Sequence, residues 1–496
     1  MSEQFILSID QGTTSSRALA FDRAGQMRAV AQKEFRQIFP DDGWVEHDAL
    51  EIWDTTLACC QSVLKELGTE NFAAIAITNQ RETAVLWDRA TGAPIANAIV
   101  WQDRRTAQTC EALKQAGHEA DITQKTGLLL DPYFSASKVG WLLDNTDGAR
   151  TRAEAGALAF GTIDSWLVWQ LTGGAAHVTD ASNAARTSLY NIHDNKWDDS
   201  LLALFGVPAA LMPEVKDNAA DFGTAREDVL GAALPILGMA GDQQAATIGQ
   251  ACFMPGMIKS TYGTGCFVLA NTGEKAAVSG NRLLTTIGYR LSGRTTYALE
   301  GSIFMAGAIV QWLRDGLQLI DNAAETQKLA ETANTDSPVT MVPAFTGLGA
   351  PHWAPQARAA IFNMTRDTTK ADIARAALES VSLQTADLMR AITEDMAAAG
   401  MDVPPRLRVD GGMVANDWLC QNLTDLCDCP IDRPAITETT ALGAAMLAML
   451  QLGWFDSLEA LGENWALDAH YMPSMTAAKR AEKQQLWQSA LAQVLA

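Results

Sequence analysis

The apolar positions of this chain come in short bursts, and each burst ends on a polar cluster. "FILSI" (5–9) runs into Asp10 and the turn "QGTTSS", and "RALAF" (17–21) resumes the apolar pattern at once. "DRAG" separates that run from "QMRAVAQKEF" (26–35). The pattern predicts strand, turn, strand, turn, strand. A P-loop or a dinucleotide fingerprint needs strand, glycine loop, helix, and neither G-x-x-x-x-G-K-[ST] nor G-x-G-x-x-G occurs in the chain. Further on, "FAAIAI" leads into "TNQRE", "ANAIV" into "WQDRR", and "PILGMA" into "GDQQ". Ligands of α/β sheets gather beyond the carboxyl ends of strands, so these polar clusters are site candidates. "TIDSWLVWQLTGG" (162–174) predicts a helix with a glycine stop, and "HYMPSMTAAKRAEKQQLW" (470–487) an amphipathic helix.

The opening pattern returns about 250 residues later as "IKSTYGTGCFVLANTG" (258–273), followed by the β-patterned "LLTTIGYRL" and "RTTYALEG". A third glycine turn, "LRVDGGMVAN" (407–416), leads into the predicted helix "NDWLCQNL". The expectation is an α/β protein of two similar domains, residues 1–250 and 251–496, with a nucleotide in the cleft between them.

Composition narrows the partners. A net charge of −21 over 496 residues leaves no basic stripe for nucleic acid. It also means that bound phosphates would need local N–H groups and a divalent cation. "MSEQFILSID" lacks the start of a signal peptide, and the run Ala441 to Leu452 is too short to span a bilayer. A cytoplasmic protein with no membrane insertion is expected. Eight cysteines in such a length are no disulfide framework, and Cys420, Cys427 and Cys429 lack zinc-site spacing and a nearby histidine.

"DQGTTSSR", "YGTGCF" and "DGGMVAN" resemble the two phosphate loops and the adenosine segment of the sugar-kinase, Hsp70 and actin superfamily. Within it, "NQRET", "WQDRRT", "GDQQAA", "EGSIFMAGAIVQWLRDGL" and "GLGAPHWAPQARAAIFNMTR" closely resemble glycerol kinases, in order, from about residue 5 to about residue 455. The resemblance implies two actin-like (ribonuclease H-like) domains, ATP and Mg2+ as cofactors, and phosphorylation of glycerol to sn-glycerol 3-phosphate in glycerol catabolism. It implies that Thr13, Thr14, Ser15 and Arg17 contact the nucleotide phosphates and that Asp10 holds magnesium through bound water. Thr264, Gly307, Gln311, Gly412 and Asn416 would line the nucleotide. Arg81, Glu82, Tyr133, Asp242, Gln243, Trp101 and Phe267 would form the glycerol site, with Asp242 as general base. A homodimer or homotetramer is also implied. The Gly-Gly-Thr-Arg loop that binds fructose 1,6-bisphosphate in enteric-type members has no counterpart in "AREDVLGAALPI" (225–236).

Each candidate has a plainer reading from residue type alone. "GTTSS" could be a solvated hairpin turn, Arg81 and Glu82 a surface ion pair, Asp242 a helix N-cap, and Gln311 a polar position on an apolar helix. Two rival functions stay open at this level. One is a kinase of the same fold acting on a pentose or another polyol, and the other is an ATP-binding scaffold without an acceptor site.

Overall fold

The structure, a computed structural model, describes residues 4–401 and 406–496; the first three residues of the opening stretch lie outside the described residues. Strand β1 (Phe5–Gln11) is buried along its whole length, as a continuous apolar run in the middle of a sheet should be. It pairs antiparallel with β2 (Ser15–Asp22), and β2 pairs antiparallel with β3 (Met27–Glu34), an edge strand exposed at most positions. On its other side β1 pairs in parallel with β4 (Phe72–Asn79). The short β5 (Thr224–Ala225) and β6 (Leu234–Gly241) complete the sheet, in the order β5-β6-β4-β1-β2-β3. Helix α1 (Ala49–Leu67) is capped by Asp48, whose side chain accepts from the N–H groups of Leu50 and Glu51. Its buried stripe of Ile52, Cys59, Cys60 and Val63 joins the core on one face of this sheet. Helix α2 (Ile163–Thr172) ends on Gly173 in the left-handed conformation, as the glycine stop predicts.

The second half repeats the plan. After helix α3 (Asp242–Gly249), strands β7 (Ile258–Tyr262) and β8 (Cys266–Gly273) form a hairpin. Next come β9 (Leu284–Leu291) and β10 (Arg294–Ile303), then β11 (Leu407–Asp410), β12 (Ile431–Pro434) and β13 (Leu467–Tyr471). The order is β9-β10-β8-β7-β11-β12-β13, so β10 and not β9 lies beside the hairpin. β7 pairs in parallel with β11, as β1 does with β4. Helix α4 (Lys370–Ala398) opens on a capping box of Thr369 and Asp372 and contributes to the core of this half.

The halves interlock. Helix α6 (Thr439–Gln451) follows α5 (Asp417–Cys427) in the second half, yet Ala441, Ala444, Leu447 and Ala448 share a core with Ile6, Ala74 and Ala76 of the first sheet. α6 crosses α3 at two glycines: a Cβ on Gly443 would stand 1.8 Å from the Ala245 carbonyl oxygen, and one on Gly249 1.9 Å from that of Thr439. Conversely, the β9–β10 hairpin reaches into the first half, where Tyr297 Oη donates to the Ile192 carbonyl and Arg290 pairs with Asp217.

Two elements differ from expectation. "ANAIV" yields only the two-residue strand Ala98–Ile99. In the C-terminal stretch His470 and Tyr471 belong to β13, and the helix spans only Ala477–Leu495, because Pro473 biases the residue before it away from helix. Among the described residues no helix is long and apolar enough to cross a membrane.

Candidate active site

Register puts the candidates on one edge. Gln11 of β1 is opposite Asn79 of β4, which is opposite Gly241 of β6. The three strands therefore stop together, and the residues that follow them, Gly12, Gln80 to Glu82, and Asp242, emerge side by side.

The first loop is a tight turn in which the Gly12 N–H donates to the Ser15 carbonyl at 2.9 Å. It is held from below by amides: Gln80 Nε2 donates to Gln11 Oε1 at 3.0 Å and to the Gly12 carbonyl at 3.2 Å, and Gln37 Nε2 donates to the Thr13 carbonyl at 3.1 Å. His47, fully buried beneath, is pushed down to about 4 by that burial and stays neutral, so its Nε2–H donates to Gln37 Oε1 at 2.8 Å. Of the predicted phosphate ligands, Thr14 is exposed, Thr13 Oγ1 accepts from Trp101 Nε1 at 3.0 Å, and Ser15 Oγ accepts from Gln32 at 3.1 Å. Arg17 stands directly opposite Asp10 across the β1–β2 ladder. Its guanidinium joins Asp10 Oδ2 to Glu438 Oε2, the latter at 2.7 Å. Burial alone would lower the Arg17 pKa, but the two carboxylates hold it well above its ordinary value.

The second loop is built on the start of a short helix. The Gly263 carbonyl accepts from Gly307 N–H at 2.8 Å, and the Thr264 carbonyl from the N–H groups of Ala306 and Ala308. A Cβ on Gly307 would stand 2.6 Å from the Gly263 oxygen, so that position requires glycine. Thr264 and Gln311 are exposed. In the third turn Gly411 has φ +91° and packs on the Tyr262 backbone, whereas a Cβ on Gly412 would meet nothing within 4 Å. Gly412 faces open space. Asn416 is the N-cap of α5, accepting from Leu419 N–H at 3.0 Å while its Nδ2 donates to Thr326 at 3.3 Å.

The acceptor candidates form a chamber. Neighbours on a strand diverge, but Glu82 has φ +61°, and Thr83 N–H donates to the Arg81 carbonyl at 2.7 Å in a three-residue turn. That turn folds both side chains into the interior, where Arg81 and Glu82 are 3 % and 1 % exposed, so they are no surface pair. Trp101 meets Tyr133 and Phe267 edge-on, with centroids 5.6 and 6.3 Å apart, and the Arg81 guanidinium lies 5.9 Å from the Phe267 ring centre. Lys138, wholly buried, donates to the carbonyls of Pro132, Tyr133 and Phe134 and so fixes the loop that carries Tyr133.

Asp242 is not the N-cap. Gly241 occupies that position and Asp242 is the first helical residue, its Oδ1 accepting from the adjacent Gln243 N–H at 2.7 Å. With no capping duty, the carboxylate stands a third exposed, 3.1 Å from Arg81 Nε. Burial raises its pKa, against the pull of Arg81 and then Lys259. Gln243 is turned the other way, accepting through Oε1 from the buried Lys259.

Three charged residues that were not among the candidates complete the site, although Glu300 and Lys259 lie within the stretches 300–317 and 258–273. Glu300 of β10 accepts both terminal nitrogens of Arg81, at 2.6 and 3.0 Å. Arg186 bridges Glu82 Oε1 at 2.7 Å and Glu300 Oε1 at 2.9 Å. Lys259 of β7 reaches Gln243 and Thr261. Glu300 and Lys259 are single charges inside apolar strand runs, and that was their signal: such a charge is tolerated only with a buried partner.

The comparisons with known proteins cover the same ground. The N-terminal domain of the FGGY family of carbohydrate kinases matches residues 5–249, and its C-terminal domain residues 258–452. A glycerol kinase of Alcanivorax borkumensis is 60% identical over 99% of this chain and 98% of its own length, and glycerol kinase 1 of Pseudomonas aeruginosa is 56% identical over 99% of both. The solved structure of Plasmodium falciparum glycerol kinase with ADP superposes with a TM-score of 0.92 at 37% identity, covering 100% of this chain and 99% of that one. A ligand-bound xylulose kinase of Lactobacillus acidophilus, 22% identical with a TM-score of 0.88, shares the fold. With both halves matched in order and the relatives aligned end to end, the chain belongs to the FGGY family of carbohydrate kinases.

Proposed function

We infer that this chain transfers the γ-phosphoryl group of ATP to a terminal hydroxyl of glycerol, giving sn-glycerol 3-phosphate. The observation that carries it is Asp242: a carboxylate outside the N-cap position and a third exposed, at the common end of three strands and beside the Arg81–Glu82 pair. Glycerol-kinase relatives at 56–60% identity over the full length support the acceptor.

Glycerol is small, uncharged and ringed with hydroxyls. Arg81 and Glu82 offer it a donor and an acceptor, Tyr133 a further hydroxyl, and Trp101 and Phe267 an apolar wall. Asp242 accepts the proton of the attacking hydroxyl as that oxygen approaches phosphorus in line. Its raised proton affinity suits a base that must hold the proton it takes. The N–H groups of Thr13 and Thr14 in the first turn and of the Gly263–Gly265 loop face the phosphates, and Gly412 leaves room for the nucleoside. Gln311 and Asn416 belong to its rim, and Gln243 acts through Lys259.

Magnesium fits Asp10: Arg17 takes Oδ2, while Oδ1 has no protein partner among the described residues. Magnesium needs only one or two carboxylates beside phosphate and water oxygens. When bound, the ion supplies positive charge against the phosphate oxygens. The same proposal assigns the base and, Phe267 apart, the acceptor site to residues 1–250 and adenosine to residues 251–496, in a cytoplasmic homodimer or homotetramer.

The test is ADP release with Mg-ATP, with and without glycerol, beside xylulose, ribulose, erythritol and dihydroxyacetone. Stimulation by glycerol is expected, with Asp242→Asn lowering kcat by about 10²- to 10⁴-fold. Turnover with a pentulose but not glycerol would overturn the acceptor assignment.

A further inference from the structure

We propose that Glu300 is a positioning residue that keeps Asp242 available as a base by occupying both terminal nitrogens of Arg81. The proposal rests on Asp242 being that base.

Glu300 sits in the interior of the second sheet, paired with Leu269 on one side and Leu284 on the other, and is wholly buried. A carboxylate there survives only if it is matched. Both matches come from the first half. Arg81 forks onto it through Nη1 and Nη2, and Arg186 Nη2 shares Oε1. Arg186 then passes Nε to Glu82, so Glu82, Arg186, Glu300 and Arg81 form a buried chain of alternating charge that sums to zero.

Asp242 lies at the end of that chain. With its fork taken, Arg81 can offer Asp242 only Nε, a 3.1 Å contact that is not aligned as a hydrogen bond. A guanidinium freed from Glu300 would turn its planar fork to the nearest carboxylate, the geometry it prefers, and that carboxylate is Asp242. The base would then be tied in two hydrogen bonds and faced by an uncompensated positive charge. Both effects favour its ionised form and make it a poorer proton acceptor. The other charged or titratable groups facing this corner are Lys259 from β7, Glu82 and Arg186 from the first half, and the Tyr133 phenol. None of them can replace Glu300, because Glu82 is already held by Arg186 and lies 3.9 Å from Arg81 Nε.

The experiment uses the full chain with its aspartates labelled at the carboxyl carbon, the Asp242 resonance being assigned with Asp242→Asn. In Glu300→Gln its titration midpoint should fall by about one pH unit or more. The acid limb of kcat for glycerol should move the same way, kcat should drop, and Glu300→Asp should restore part of both. An unmoved midpoint in folded Glu300→Gln overturns the proposal. Should that variant not fold, Glu300→Asp, whose shorter side chain cannot reach both Arg81 nitrogens as Glu300 does, must shift the midpoint part of the way downward, and no shift there overturns it equally. The titration needs no turnover: an inactive wild-type enzyme with the midpoint shift intact would sink the glycerol reaction and not the positioning role.

Discussion

At the scale of single residues, this site is made by small displacements from the ordinary pattern. Gly241 stands at the N-cap position of α3, so Asp242 falls one residue inside the helix, and the left-handed backbone of Glu82 brings a strand's diverging neighbours together. Below the first loop, His47 is neutral because burial drives its pKa from 6.5 to about 4, and a neutral ring can both donate to Gln37 and accept from Gln80. A pKa depressed in the folded state gives stability that is complete above pH 6.5 and is lost as pH falls through 4, about 3 kcal/mol in all. The stability of wild type, from urea unfolding between pH 7 and 4, should therefore fall more steeply than that of His47→Gln. Parallel curves would place the acid sensitivity elsewhere. The Arg–Glu pair and Asp242 were legible as candidates from their position after apolar strands. Glu300, Arg186 and Lys259 were not, because a charged side chain's partner lies far along the chain: Arg81 and Glu300 are 219 residues apart.

At the scale of elements, strands and turns were read well because their patterns are local. An apolar run, a glycine turn and a second apolar run predict a hairpin wherever they occur, and both hairpins stand where the repeat puts them. Sheet order was not legible. β10 pairs with β8 in place of the earlier β9, a choice made by which strand buries its face and not by sequence order. Nor did sequence show that α6 crosses α3 backbone to backbone. Only glycines at 249 and 443 allow that approach, since any Cβ meets a carbonyl oxygen closer than 2 Å. Gly443→Ala must push the helices apart and should cost about 1–3 kcal/mol, measured by urea unfolding. Unchanged stability would mean that the crossing tolerates separation.

At the scale of the whole molecule, the two halves share their interior. Ile6, Ala74 and Ala76 from the first sheet pack with Ala444, Leu447 and Ala448 from α6, and ion pairs and hydrogen bonds, among them Arg81–Glu300, Arg290–Asp217 and Tyr297–Ile192, tie the β9–β10 hairpin to the first half. Such a chain should unfold as one unit despite its length, with tryptophan fluorescence and far-UV circular dichroism tracing the same transition. Two separated transitions would show halves that stand alone. The same interlocking bears on function. Arg81, Glu82, Trp101, Tyr133 and Asp242 belong to the first half, but Phe267 and Glu300 come from the second, so the chamber is complete only when both halves are in place.

The sequence by itself determined the elements, the repeat, the glycine turns and the polar clusters at the ends of the strands, because these follow from patterns within a few residues. It also excluded the P-loop and dinucleotide folds, whose glycine spacing is local too. The tertiary structure alone decided which charges meet. Burial makes an isolated charge costly, so Arg81, Glu82, Arg186 and Glu300 had to find one another across the two halves, and only the folded chain shows which pairing leaves Asp242 a third exposed beside Arg81.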